Sequence, residues 1–424
     1  MSEARHHHSS KKQVNSSPIR SIEVAVVGGG IAGKACALGL AQLGLNTVEI
    51  APDLGSPTPA PQGAQWGQRI YAFSPSTQKL LAHLQTWDAL DQSRMQVVRD
   101  MRIYGDRGER NDQLHLSAFE AGTSQLAWIG ESNLIEHTLD QASRFQNKLE
   151  RIADAVETIE MNEQGSTLHL KNGESIHAQL VIAADGANSP IRSAIGISAS
   201  EESYSQNAVV ANWLCTYPHL ETAFQWFLPD GDIVAMLPLP DKQVSMVWST
   251  SPEHAAELLR LDQSEWQERF SSVANGVIQK QLGELTLNSV PATFPLRKIR
   301  ASRFIGPEDN PKVALIGDAA HVMHPLAGQG LNLGLRDVAV LLNIIGKRES
   351  FRQLNDLTLL RRYERQRQGD TSALLWVTDK LKKLFSGTST TEKQLRNWGL
   401  GLVNKSHFIK QRLIERALGE IDFD

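Results

Sequence analysis

The chain has 424 residues, 41% hydrophobic and 21% charged, a length that exceeds what one growing core accommodates and predicts two closely packed domains. Its 31 Gly, 17 Pro and 2 Cys exclude collagen, low-complexity disorder and a disulfide scaffold. With 43 Lys and Arg against 47 Asp and Glu, no overall basic field gathers nucleic acid, and Cys36 and Cys215 lack a metal-ligand spacing, so no metal site is expected and a reducing, cytoplasmic setting is.

Residues 1–20 read as a polar tail without a signal-peptide core, in which His6, His7 and His8 lack the surrounding groups a metal site uses. Nowhere does an apolar run reach the ~18 residues that span a membrane. Residues 22–27 form a continuous apolar, β-branched run and predict a buried parallel strand. A glycine-rich turn and a helix follow, with Ile31, Ala35, Leu38 and Leu43 near helical spacing until Gly44 stops them. Residues 46–50 supply the next strand and complete a β-α-β unit. The Pro, Gly and Gln rich stretch 52–67 predicts an exposed excursion before a helix starting near Ser74. Strands are predicted at 125–129, 208–216, 223–228, 233–239, 244–249 and 292–296, together a largely antiparallel inserted sheet. Residues 180–184 and 313–316 return to the first domain as buried strands, and the chain is helical from about Asp337 onward.

Gly28, Gly30 and Gly33 satisfy G-x-G-x-x-G between a strand and a helix. The first permits a tight turn, the second lets backbone approach a pyrophosphate, and the third lets helix pack on strand. An acid about 20 residues on is expected to bind a ribose hydroxyl. Glu49 is the first candidate and Asp53 the second, because Ala51 occupies the end of the strand. Two further segments, LVIAADGANSPIRSAIG (180–196) and VALIGDAAHVMHPLAGQGLNLGLRDVAVL (313–341), each run from a buried strand to an acid beside a glycine: Asp185 with Gly186, and Gly317 with Asp318.

With these three motifs the sequence resembles the class A FAD-dependent monooxygenases from about residue 22 to 418. HPLAGQGLNLGLRDVAVL, FLPDGDIVAMLPL, VSMVWST and LRRYERQRQGDTSALLWVTDKLKKLF are together similar to the ubiquinone-biosynthesis aromatic-ring hydroxylases. The resemblance implies an α/β, para-hydroxybenzoate-hydroxylase-like fold: a Rossmann-type FAD-binding domain (21–100, 131–200, 301–345), an inserted mainly antiparallel β-sheet substrate domain (101–130, 201–300) and a helical C-terminal region (346–424). It implies that Gly28, Gly30 and Gly33 hold the FAD pyrophosphate, and that Asp318 accepts a hydrogen bond from the ribityl chain. It also implies that Asp185 and Gly186 lie near both FAD and the pyridine nucleotide, and that Arg69 lies near the flavin and its phosphates. Glu131-Ser132 and Ala51 depart from the family pattern at two adenosine-side contacts.

Pro325 to Asn332 opens a helix, since Leu331, Leu335, Val338 and Leu342 follow at helical spacing. Its amino terminus carries roughly half a positive charge, suited to an anionic reduced flavin, with Gly328 and Gly330 allowing close approach. Reduced flavin and dioxygen give a flavin hydroperoxide that oxygenates an electron-rich ring. NADPH or NADH is the expected transient reductant, since a second complete dinucleotide unit is missing from the sequence. Phe224, Trp226, Phe227, Met236, Trp248 and Phe294 are candidates for either the pocket wall or the core. His324 is the candidate proton carrier, with a structural role as the alternative for it and for His321. Between Arg361 and Leu418, 13 Lys and Arg face 5 Asp and Glu. Apolar positions at Leu374, Val377, Leu381, Leu384, Phe385, Leu402, Ile409 and Leu413 make a basic amphipathic surface suited to anionic lipid, a partner protein or the fold itself. The expected function is hydroxylation of a prenylated phenol or quinone precursor. The alternatives are hydroxylation of a smaller soluble aromatic, or a flavin-binding structural subunit of the biosynthetic assembly.

Overall fold

The computed structural model describes residues 19–55, 63, 66–105, 113–323 and 329–386. In chain order it forms β1 (Arg20–Val27), α1 (Ile31–Gln42), β2 (Thr47–Ile50), β3 (Ile70–Phe73), α2 (Pro75–His83), β4 (Gln96–Val98), β5 (Asp100–Tyr104), β6 (Gln113–Ser117), β7 (Ala127–Glu131), α3 (Ser132–Ser143) and β8 (Leu149–Ile152). There follow β9 (Val156–Met161), β10 (Ser166–Leu170), β11 (Ser175–Ala183), α4 (Pro190–Ala194), β12 (Ala199–Cys215), β13 (Thr222–Phe227), β14 (Ile233–Leu239) and β15 (Gln243–Thr250). The rest is α5 (Pro252–Leu258), α6 (Gln263–Ser272), α7 (Val277–Leu282), β16 (Leu285–Leu287), β17 (Ala292–Ala301), β18 (Ile305–Gly306), β19 (Val313–Leu315), β20 (His321–Val322), α8 (Gln329–Gly346) and α9 (Leu357–Ser386).

The apolar runs without alternation become the buried parallel strands. Strands β8, β2, β1, β11 and β19 lie side by side in that order, all parallel. Chain order reverses direction between β1 and β11, and such a switch point opens a crevice at the carboxyl ends of the strands. Helix α1 is buried on nearly all sides, Lys34 included, because its Ala and Gly residues let it pack closely: a Cβ on Gly39 would stand 2.3 Å from Leu342 of α8.

The alternating segments build the second sheet, ordered β20-β17-β12-β15-β14-β13-β5-β6, with β16 also on β12. All its pairs are antiparallel except β13 with β5. Its outer face packs on α5, α6 and α7 through Trp213, Trp226, Trp248, Trp266 and Phe270, each at most 1% exposed. Burying one such aromatic contributes roughly 1.5–3 kcal/mol. One expected strand goes elsewhere. The segment predicted at 125–129 forms β7, which pairs with β3 and β4 in a separate three-stranded sheet. Alternation identifies a strand but not its partner.

Between the parallel sheet and α3 lies a chain of buried charges. Lys34 pairs with Asp140 at 2.9 Å, Asp140 with Arg151 at 2.5 Å, and Arg151 with Glu49 at 2.8 Å. This joins α1, α3, β8 and β2. Removing Asp140 takes away the buried counter-charge that Lys34 and Arg151 share, at a cost of about 3–5 kcal/mol. Asp140→Ala is expected to lower unfolding stability by that amount in a urea titration; a midpoint equal to the parent's would show the chain of charges to be dispensable.

Candidate active site

The crevice at the switch point is shaped by contacts that exclude side chains. Gly28 sits at φ 129°, where a Cβ would stand 2.1 Å from the Ala184 carbonyl oxygen, and a Cβ on Gly33 would stand 2.0 Å from that of Gly28. The turns after β1 and β11 are thereby locked against each other. Gly30 is the N-cap of α1, carries no side-chain cap and faces open space. The first-turn amides of α1 are left to an anion arriving from the crevice, so the cradle fits a dinucleotide pyrophosphate.

A cavity of about 550 Å³ extends from this turn to the second sheet. One end is polar, with Gly30, Gly33, Arg69, Tyr71, Glu136, Gly186, Gly317, Asp318 and Gly330 in its wall. The other is largely apolar, built by Val98, Met101, Leu116, Leu126, Ala127, Ile129, Ala223, Ala235, Leu237, Val247 and Leu296. Asp318 opens into the cavity while protein surrounds it on its other sides. This burial raises its carboxyl above the usual range, with His321, Arg297 and Arg69 pulling it back. Burial likewise raises the Glu136 carboxyl, against the opposing charges of Lys34 and Arg69, and the Tyr71 hydroxyl.

The turn bearing Gly317 and Asp318 is held from behind by Asp337 of α8. Asp337 accepts hydrogen bonds from the Gly317 amide at 2.8 Å and His321 Nε2 at 2.7 Å through one oxygen, and from Arg367 Nε of α9 at 2.6 Å through the other. Asp337 and Arg367 are fully buried. Burial alone would raise the Asp337 carboxyl; His321 and Arg367 outweigh it and hold it below its usual range. Gly317 has φ 58°, and a Cβ on Gly334 would stand 3.0 Å from the Gly317 Cα, so α8 packs directly on the turn.

The expected site residues separate into those at the cavity and those behind it. Gly30, Gly33, Arg69, Gly186, Gly317, Asp318, Gly330 and Asn332 border the cavity. Glu49 does not: its carboxylate is fully buried on Arg151, because its position within β2 points it into the charge chain. Asp53 instead lies beside the turn, its Oδ1 2.6 Å from where a Cβ on Gly29 would be. Asp185 accepts from the Ser189 hydroxyl at 2.5 Å and the Ile191 amide at 3.0 Å, so its carboxylate organises the entry to α4 and leaves Gly186 to face the cavity. Asn332 is spent on protein contacts: its Oδ1 accepts from the Ser74 amide and the Thr77 hydroxyl, and its Nδ2 donates to the Ala72 carbonyl. It staples α8 to the β3–α2 turn. Glu131 is likewise structural, accepting from the Gly67 amide and Arg94. His324, Pro325 and Gly328 lie outside the described residues.

Of the predicted wall residues, Phe224, Trp226, Met236 and Trp248 belong to the core against α5–α7, Phe224 stacking on Trp226 and also bordering the cavity, and Phe227 belongs to a small cluster with Leu114 and Ile233. The registers Gln225↔Ala235↔Val247 and Trp226↔Val234↔Trp248 send the small residues to the cavity and the tryptophans away. Glu136, Tyr71 and Gln225 were not singled out by the sequence reasoning, and Asp337 lies within the third motif segment without having been assigned a role. Asp337 did offer a signal, as the one acid of α8. Cys36 and Cys215 are free and buried, the latter's thiol pushed up to about 12 by burial. The described residues contain no cluster of metal-ligating side chains.

A family model described as an FAD binding domain matches residues 21–375. The chain belongs to this FAD-binding family. It is 32% identical over 402 residues to the 3-demethoxyubiquinol 3-hydroxylase of Escherichia coli (strain K12), with 94% of this chain and 98% of that enzyme covered. It is 31% identical to the human ubiquinone biosynthesis monooxygenase COQ6, mitochondrial, with 93% and 92% covered. These relatives place it among the class A flavin monooxygenases of ubiquinone biosynthesis, with FAD as cofactor. The fold matches that of p-nitrophenol 4-monooxygenase PnpA from Pseudomonas putida DLL-E4, at a TM-score of 0.72 and 19% identity over 95% of this chain and 99% of that one. It also matches Klebsiella pneumoniae HpxO complexed with FAD and uric acid, at 0.69 and 20% over 93% and 97%. The family's para-hydroxybenzoate-hydroxylase-like architecture is the one found here.

Because Asp318 has a raised carboxyl in the folded protein, its effect on stability is most favourable below the ordinary carboxylate range and is lost as pH rises through the folded value. Asp318→Asn is therefore expected to make the FAD-free protein more stable than the parent at pH 7, with the gain shrinking toward acid pH. Thermal unfolding across that range checks this, and a destabilised variant at pH 7 would contradict the placement.

Proposed function

We propose that this flavin monooxygenase hydroxylates the ring of a prenylated phenol or quinone precursor in ubiquinone biosynthesis. The reaction consumes one ring C–H, dioxygen, NADPH or NADH and a proton, and yields a ring C–OH, water and the oxidised nicotinamide. The observation that carries this reading is one cavity that runs from the glycine turn at the start of α1 to an apolar wall on the second sheet. When bound, FAD supplies the redox and oxygen chemistry that side chains lack.

The protein's own residues bind, orient and exclude water. The Gly28–Gly30 turn and the amino terminus of α1 hold the pyrophosphate, and Gly33 keeps α1 seated on the turn. The Arg69 guanidinium, exposed at the cavity, offers charged donors to the phosphates. Asp318 accepts a ribityl hydroxyl, and Asp53 takes the ribose role first expected of Glu49. Helix α8 starts at Gln329 and brings Gly330 and Leu331 to the cavity, so its positive end faces the site and suits a negative charge on the flavin ring. Around the ring of the substrate, Met101, Ala223, Ala235, Leu237 and Val247 form a dry wall with room for an apolar tail.

The same substrate class accounts for the basic C-terminal stretch as a peripheral contact with anionic lipid or with a biosynthetic assembly. No helix among the described residues is long and apolar enough to cross a membrane. A flotation assay with anionic liposomes at low salt is expected to carry the protein upward.

The purified protein is expected to show a flavin absorption spectrum that bleaches on anaerobic NADPH or NADH addition and returns in air with an oxygenated prenylphenol. A flavin spectrum without turnover would favour a structural subunit, and turnover confined to small aromatics would favour the soluble substrate. Gly30→Val is expected to abolish FAD retention, because its side chain fills the space left for the pyrophosphate. Asp318→Asn is expected to weaken retention about tenfold or more, the worth of a hydrogen bond to a charged group.

A further inference from the structure

Gln225 is 6% exposed, lies in the middle of β13 between Ala235 of β14 and Ile103 of β5, and borders the cavity. It is the one polar side chain that the nine-stranded sheet contributes to the wall among the described lining residues. Its neighbours there are Met101, Leu116, Ala223, Ala235, Leu237 and Val247. The cavity's other polar side chains, Arg69, Tyr71, Ser74, Glu136, Asp318 and Asn332, all come from the FAD-binding side. Ser74 and Asn332 are bonded to protein, whereas the Gln225 amide has no hydrogen-bond partner among the described residues. The amide opens into the cavity instead of pairing within the protein, so whatever fills the cavity beside it must supply its hydrogen bonds or leave it unpaired, at a cost. A lone polar group on the face of an apolar pocket is the kind that orients a ligand.

We infer that Gln225 binds the ring hydroxyl of the substrate and so orients the ring within the cavity; this rests on the proposed phenolic substrate. An amide offers two N–H donors and a carbonyl acceptor on one short plane. A phenol both donates and accepts, so it matches the amide, whereas a hydrocarbon tail leaves it unpaired. The apolar wall accommodates the tail in any rotation about its axis, and the amide removes that freedom. Gln225 thereby determines which ring carbon faces the flavin side of the cavity.

The test uses the FAD-loaded full chain and two probes: a phenol with one dimethylallyl group beside the hydroxyl, and its methyl ether, which lacks the O–H. Binding is read from the change in flavin absorbance without reductant, and ring oxygenation is measured per reductant oxidised. Gln225→Met conserves volume and is expected to keep FAD affinity and methyl ether binding. It should lose about tenfold in phenol affinity, one hydrogen bond's worth. The preference for phenol over ether should vanish, and more reductant should be oxidised without ring oxygenation. If Gln225→Met loses FAD, Gln225→Asn, which retracts the amide by one methylene, is expected to show the same lost preference with FAD retained. A parent protein that discriminates and oxygenates, beside variants that hold FAD and discriminate equally well, overturns the role of Gln225 alone. A parent that neither binds nor oxygenates the phenol overturns the substrate reading and this inference together.

Discussion

The Asp337 carboxylate ties together the Gly317-Asp318 turn, the strand that follows it and the long C-terminal helix. It accepts from the backbone amide that opens the Gly317-Asp318 turn, from the imidazole of His321 on β20, and from the guanidinium of Arg367 on the long C-terminal helix. Each donor would be stranded if the carboxylate were lost, since a buried charge without its partner is far costlier than the pair. The position of Asp318, and so the polar end of the cavity, depends on a residue that never touches the cavity.

The same logic of support from behind recurs around the site. Asp185 is committed to the start of α4, Asn332 to the β3–α2 turn and Glu131 to Gly67 and Arg94. Each has the polarity of a ligand-binding group, and each has that polarity spent on the backbone of a loop that borders the cavity. Arg192 works in the same way, bonding the Ala319 and Ala187 carbonyls and so tying the second and third motif loops together. What is left facing the cavity is mostly glycine backbone, Arg69, Glu136, Asp318 and a sheet of small aliphatic side chains. Such an arrangement suits a large planar cofactor held by amides and helix ends, with an apolar substrate against the opposite wall.

Two sheets of opposite character meet at that cavity. The parallel sheet supplies strand ends and helix termini, which present dipoles and unpaired amides. The antiparallel sheet supplies a face, whose period of two separates a bulky core side from a small-residue pocket side. On the proposed reading, phosphate binding and ring binding fall to different kinds of secondary structure within one chain.

The glycine spacing, the strands that precede each motif and the helical run after Asp337 were legible in the sequence because local sterics and periodicity dictate them: a Cβ at Gly28 or Gly33 has nowhere to go. The family could be read from motifs at separated places for the same reason. Roles that depend on which direction a side chain faces were not legible. Glu49 has the right spacing for a ribose ligand, yet its strand position turns it toward Arg151. Asn332 sits in a motif, yet its amide faces Ser74 and Thr77. Trp226 and Trp248 look like pocket residues until the register with Val234 places them on the core side and Gln225, Ala235 and Val247 on the other. Strand partners, register and the approach of distant loops come from long-range packing, in which a shift of one residue exchanges the two faces. The sequence by itself determined the cofactor cradle, and only the tertiary structure decided which side chains look into it.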